Sequence, residues 1–91
     1  MKLGFTTLAL FMEPNNDIID LAKKHGFEII EILAEGPFFE KDNMEFKDCG
    51  LDMRMHAATV DINIASLNKG IRAESVKQMI HCGQYAEEIG A

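Results

Sequence analysis

The sequence predicts an α/β fold built from parallel β/α units. Three short runs of strand-forming residues alternate with segments of helical periodicity, and the last segment is again helical. Strands joined by helical crossovers are parallel, and the units are right-handed. The predicted sheet therefore has the strand order 1-2-3, with the helices on one face.

The first unit starts with a strand predicted over Lys2–Thr6. The turn-forming stretch EPNND follows, and Asn15 or Asn16 is the expected N-cap of the first helix. Gly26 stands where a left-handed C-cap is expected, so the helix should end at His25. Its apolar face repeats at helical spacing and contains Ile18, Leu21 and Ala22.

Two further strands are predicted over Phe27–Leu33 and Leu51–Ala57. The first of these is a β-branched, nearly continuous apolar run, which is typical of a parallel strand covered on both faces. The intervening segment, residues 34–50, has room for only one or two helical turns. Alternation along the third strand puts Asp52, Arg54 and His56 on one face and Leu51, Met53, Met55 and Ala57 on the other.

The last helix has the clearest signals, with Asn68 as its expected N-cap and Gly90 as its C-cap. Gly83 lies within its apolar stripe and costs about 1 kcal/mol of helix propensity relative to Ala, which indicates close packing on the sheet. The residues expected to face the sheet are Val76, Met79, Ile80, Gly83, Ala86 and Ile89.

Length, charge and cysteine spacing narrow the class of protein. The chain has 91 residues and a net charge of -6, so one small domain over residues 1–91 is expected. Its nine basic residues are scattered, which argues against a nucleic-acid partner. No apolar run has membrane-spanning length and no signal peptide is visible, which predicts a cytoplasmic protein without a membrane partner. Cys49 and Cys82 form no CxxC motif and are expected to be unpaired thiols.

Three β/α units are the opening part of a larger architecture. A complete (β/α)8 TIM barrel has about 250 residues, so residues 1–91 are predicted to be the N-terminal three-strand part of such a barrel. An open sheet of this kind leaves two strand edges unpaired and one face uncovered. The chain is therefore expected to form a homo-oligomer or to associate with the remainder of the same barrel.

The segment HAATVDINIASLNKGIRAESVKQMIHCGQYAEEIGA resembles the third strand, loop and helix of the xylose-isomerase-like TIM-barrel superfamily. MKLGFTT and GFEIIEIL resemble its first two strands. This superfamily contains sugar phosphate isomerases and epimerases, together with AP endonucleases of the endonuclease IV type (AP endonuclease family 2). The resemblance implies a divalent metal (Zn, Mn, Co or Mg) in the complete protein, with none bound by this chain alone.

Three residues are candidates for the site. His56 ends the third strand, where barrel active sites lie, and the resemblance implies a metal ligand; the alternative is a structural histidine bonded to a loop carbonyl. Glu31, near the end of the second strand, is the candidate catalytic carboxylate, with pairing to Arg54 as the alternative. Asn63 repeats the superfamily's Asn-x-x-Ser loop with Ser66, which implies substrate binding, although such residues also form turns.

Three functions are consistent with these features. The first is a metal-dependent isomerase or epimerase acting on a small-molecule sugar or sugar phosphate, and VDINIASLN is closer to this branch than to the nuclease. The second is a zinc phosphodiesterase of DNA repair, of the endonuclease IV type. The third is a non-catalytic, self-associating barrel fragment. The chain alone is expected to be inactive, because its sequence contains no complete set of metal ligands.

Overall fold

The computed structural model describes residues 1–10 and 12–91 of the chain. Three parallel strands form one sheet, and two α-helices and three 3₁₀ segments connect and cover them. The strands are β1 (Gly4–Thr6), β2 (Ile29–Leu33) and β3 (Asp52–His56), and the α-helices are α1 (Asn15–Lys24) and α2 (Lys69–Ile89). The 3₁₀ segments are Thr7–Leu10, which follows β1, and Gly36–Glu40 and Met44–Phe46, which together connect β2 to β3.

The strand order β1-β2-β3 confirms the predicted topology. Gly4 lies opposite Ile29, and Ile29 lies opposite Asp52, so the three strands share one register. A Cβ atom at Gly4 would lie 2.7 Å from the Cβ of Ile29, closer than real side chains approach. Glycine is therefore what allows β1 to pair this closely with β2.

The hydrophobic core lies on one face of the sheet only. Ile30, Ile32 and Met53 point towards the helices and are buried. The opposite face is open and carries a depression of about 290 Å³ beside Ile29 and Glu31, as predicted for a three-stranded sheet with one uncovered face. The helices and the β2–β3 connection fill the core with Ile18, Ile19, Ala22, Phe38, Phe46, Cys82, Tyr85 and Ile89.

Two of the four predicted helix caps, both on α2, are confirmed. In α2 the Asn68 Oδ1 atom accepts hydrogen bonds from two backbone N–H groups, and Gly90 has a left-handed φ of 77°. The helix α1 ends at Lys24 with His25 as its C-cap, one residue earlier than predicted, and Gly26 follows with a left-handed φ of 76°. The predicted N-cap of α1 is wrong, because Pro14 occupies that position and makes no side-chain capping bond. Asn15 is already helical, and its side chain points into the interior.

The helix α2 packs on a different face from the one predicted. Of the residues predicted to face the sheet, only Ile89 is buried. A Cβ atom at Gly83 would have no neighbour from the rest of the fold within 4 Å, so the close packing predicted for Gly83 is wrong. Val76, Met79 and Ile80 are 41%, 37% and 54% exposed. The buried residues of α2 are Ser75, Cys82, Tyr85 and Ile89.

A buried polar network accounts for the face on which α2 packs. The Tyr85 hydroxyl donates to the Asn43 carbonyl at 2.7 Å, and the Tyr85 ring packs edge-on against Phe38. Burial raises the pKa of the Tyr85 hydroxyl above its ordinary value. Both partners belong to the connection between β2 and β3, so this connection orients α2.

Asn43 is the centre of this network. It is buried and adopts a left-handed φ of 57°. Its side-chain amide donates to the Phe38 carbonyl at 2.8 Å and to the Lys41 carbonyl at 3.2 Å. Its Oδ1 accepts from the Asn15 amide at 2.9 Å. The network therefore links α1, the β2–β3 connection and α2.

Two further sequence predictions concern chain-wide properties. Cys49 is half-buried and Cys82 is buried, and both are unpaired thiols as predicted. Across residues 1–10 and 12–91, the structure has no helix with both the length and the apolar character needed to cross a bilayer.

Candidate functional site

The open face of the sheet carries the polar side chains of β2 and β3. Glu31 lies opposite Arg54 in the register, and His56 follows Arg54 on the same face at the end of β3. At the other end of this face, the Lys2 ammonium lies 2.7 Å from the Asp52 carboxylate, so an ion pair joins the segment before β1 to the first residue of β3. The hydrogen bond and charge of Lys2 lower the pKa of Asp52.

Glu31 and Arg54 are neighbours in register but do not pair. Among residues 1–10 and 12–91 the only ion pair is the one between Lys2 and Asp52. The Arg54 guanidinium instead donates to the Met53 carbonyl at 3.1 Å. The expected structural role of Glu31 as the partner of Arg54 is therefore wrong, and its assignment as a catalytic carboxylate stays a prediction.

His56 lies at the C-terminal rim of the sheet, and Met55 packs against the core on the other face, as predicted. The His56 Nδ1 atom is 2.9 Å from the Ala57 carbonyl oxygen. Because a carbonyl oxygen only accepts hydrogen bonds, Nδ1 carries the proton. This is the bond to a loop carbonyl that the structural alternative predicts. In the neutral ring Nε2 then keeps its lone pair, an arrangement also found in metal-binding histidines, so the metal-ligand role of His56 stays a prediction.

Asn63 lies in the loop between β3 and α2, and its side chain is exposed. Its Oδ1 accepts from the Ala65 N–H at 2.9 Å, and its own N–H donates to the Ser75 hydroxyl at 2.7 Å. The Ser66 hydroxyl accepts from the Asn68 N–H at 3.1 Å. Both side chains thus stabilise turns, and substrate binding by Asn63 stays a prediction.

Glu35 is a functional candidate that sequence reasoning missed. Its Oε1 atom accepts from the Thr59 N–H at 2.5 Å, the Val60 N–H at 2.9 Å and the Thr59 hydroxyl at 3.2 Å. Burial alone would raise the pKa of Glu35, but these hydrogen bonds and the nearby His56 lower it below its ordinary value. The signal in the sequence was its position two residues after β2, at the carboxyl end of a parallel strand.

A cleft of about 310 Å³ opens at the same end of the sheet. Leu8 comes from the segment after β1, Leu33 and Glu35 from β2 and the residues after it, and Val60 and Asp61 from the loop after β3. In open α/β sheets, ligands bind outside the carboxyl ends of the strands. The cleft therefore lies where a ligand site is expected, with apolar walls and two carboxylates.

At this rim of the sheet, the described residues offer the imidazole of His56 and carboxylates that lie apart from one another. Within 1–10 and 12–91, no group of three His, Cys, Asp or Glu side chains converges on a point that could hold a metal ion. A metal bound by His56 would take further ligands from outside these residues. Comparisons of the chain with protein-family models, with curated proteins and with solved structures give no match.

Proposed function

We propose that residues 1–91 form the first three β/α units of a TIM barrel of the xylose-isomerase-like superfamily. The complete protein would be a cytoplasmic, metal-dependent sugar or sugar phosphate isomerase or epimerase. The observation that carries this proposal is His56, which ends β3 with Nδ1 bonded to the Ala57 carbonyl and Nε2 available as a ligand.

The one-sided covering of the sheet supports the barrel. In a (β/α)8 barrel the helices lie outside and the inner face of the strands packs only against other strands. Here the helices cover one face, and Ile29, Glu31 and Leu33 on the other face are only half-buried. Additional strands that continue the β3 edge would enclose this face.

The residues have distinct roles in this proposal. A divalent cation would polarise the substrate carbonyl and so acidify the neighbouring C–H group. His56 would hold the cation through Nε2. The Glu31 carboxylate would accept a proton from one carbon and return it to the next, which is general acid–base catalysis. Asn63 would donate its amide Nδ2 to a substrate hydroxyl, because its Oδ1 is already bonded to the Ala65 N–H.

The test is an activity assay on the natural protein that contains these residues. Sugars and sugar phosphates are supplied with Mn²⁺, Co²⁺, Mg²⁺ or Zn²⁺, and isomer formation is followed by chromatography. His56→Ala should lower kcat/KM by about 100-fold or more, since losing even a group that only orients a ligand costs about 10- to 100-fold.

The matched control is His25→Ala, because His25 is exposed at the C-terminus of α1. This variant should keep the activity of the unmodified protein. Equal activity of the His56→Ala and unmodified proteins would remove His56 from the site. Cleavage of abasic-site DNA without isomerisation would replace the proposal with the endonuclease IV type of activity.

The isolated 91-residue chain is expected to self-associate. The open sheet face and the outer strand edges lack partners among the described residues, and Val76, Met79 and Ile80 add exposed apolar surface on α2. Burying such surface and pairing such edges stabilises an assembly. Light scattering at micromolar concentration should give a mass of at least two chains. A cooperatively folding monomer would contradict this expectation and weaken the barrel proposal.

A further inference from the structure

We propose that Glu35 is a positioning residue, which holds the loop between β3 and α2 (residues 57–68) against the end of β2 and thereby fixes the orientation of His56. The effect on turnover rests on the proposed function. The effect on the loop and on the His56 ring does not, because it follows from contacts within the chain.

Ala34 and Glu35 hold the start of the loop at two points, and we call this pair of contacts the clamp. The Ala34 N–H donates to the His56 carbonyl at 2.9 Å. The next residue, Glu35, accepts from the backbone N–H groups of Thr59 and Val60 at 2.5 and 2.9 Å. Two consecutive residues after β2 therefore hold both ends of the short segment 56–60.

The imidazole of His56 lies at the start of this clamped segment. Its Nδ1 donates to the Ala57 carbonyl, which belongs to the segment itself. If the segment moves, the acceptor for Nδ1 moves with it, and the ring loses the bond that sets its tautomer and orientation. A side chain that holds the segment therefore acts on the direction of Nε2 without touching a ligand.

The Glu35 carboxylate forms strong hydrogen bonds and lies beside the loop that it holds. A charged acceptor forms hydrogen bonds roughly twice as strong as a neutral one. Among the described residues outside the loop, Glu35 is the only hydrogen-bond partner of the Thr59 and Val60 N–H groups. It also lines the cleft, together with Val60 and Asp61. Asp61 has a left-handed φ of 61°, which turns the chain directly after the clamp.

The first test uses amide hydrogen exchange by NMR on the 91-residue chain. Glu35→Ala should speed exchange of the Thr59 and Val60 amides about tenfold or more, because an amide freed from its bond exchanges by local opening. In Glu35→Gln the exchange rates should lie between those of Glu35→Ala and the unmodified chain, since the glutamine amide oxygen still accepts hydrogen bonds. Glu40→Gln, at the exposed end of the 3₁₀ segment that follows Glu35, is the matched control and should change neither rate. Unchanged exchange in a folded Glu35→Ala chain would overturn the clamp.

The second test reports on His56 directly. In the unmodified chain the ¹⁵N resonances of the imidazole should show the Nδ1–H form, and in Glu35→Ala they should shift towards a mixture of both tautomers. If Glu35→Ala speeds amide exchange in the loop while His56 stays entirely in the Nδ1–H form, Glu35 does not position the His56 ring. Glu35 would then only hold the loop. Neither signal depends on turnover, so an inactive natural protein would refute the proposed function without affecting this result.

In an active natural protein, Glu35→Ala should lower kcat by about 10- to 100-fold and Glu35→Gln by less, the range seen when groups that orient metal ligands are removed. An equal kcat in Glu35→Ala and the unmodified protein would overturn the catalytic part of the inference.

Discussion

Phe46→Ala is expected to destabilise the chain by about 3–5 kcal/mol, enough to unfold a small domain whose total stability is of the same order. Phe46 is 2% exposed and is among the largest fully buried side chains. It comes from the 3₁₀ segment that packs against α1, where the loss of its ring would leave a cavity. Urea unfolding followed by circular dichroism, at one protein concentration for all variants, should show a transition at lower urea or, if the variant is unfolded, no transition at all.

Phe39→Ala is the matched control for this change. Phe39 lies in the same β2–β3 connection, but it is 36% exposed and packs edge-on against Phe38. Its removal should cost clearly less than the removal of Phe46. Equal losses for Phe39→Ala and Phe46→Ala would show that the connection does not pack as described.

Asn43→Ala is expected to cost about 2–4 kcal/mol, measured in the same way. The substitution leaves the Asn15 amide and the Phe38 carbonyl without this partner in the interior. It also puts alanine at a left-handed φ that only glycine, asparagine and aspartate adopt easily. The Tyr85 bond survives, because its acceptor is the Asn43 main chain.

Two further variants separate these causes. Asn43→Gly accepts the left-handed backbone but still removes the side-chain bonds, so it should remain destabilised by at least about 1 kcal/mol. Asn16→Ala makes the same chemical change at an exposed position of α1 and should be nearly neutral. If Asn43→Gly matched the stability of the unmodified chain, the polar network would not be a source of stability.

Local chemistry explains which parts of the fold were predictable. Asn68 and Gly90 act on the backbone within a few residues of themselves, so their roles as helix caps can be predicted from the sequence. The parallel pairing follows from the crossover connections, and the order 1-2-3 follows the tendency of consecutive strands to be neighbours. The register also places Glu31 opposite Arg54, but a shared register did not imply an ion pair.

The errors have long-range causes. Asn15 looks like a cap because short polar side chains favour caps, yet its amide bonds to Asn43, which lies 28 residues away in the chain. The face on which α2 packs depends on the bond from Tyr85 to Asn43, which lies 42 residues earlier in the chain. In the same way, the partners of Glu35 lie 24 and 25 residues later, and nothing beside Glu35 in the sequence indicates them. The position of His56 at the end of β3 could be predicted because strand alternation and strand ends are local signals.

The strand order has a consequence for synthesis on the ribosome. Each strand pairs with the strand made just before it, and the register partners Gly4, Ile29 and Asp52 are 25 and 23 residues apart. At about 5–20 residues per second, the ribosome needs roughly 1–5 s to add such a stretch. Helices and short loops form within microseconds. Each β/α unit therefore has time to dock as it emerges, and the sheet grows at the β3 edge without a later strand having to insert between two earlier ones.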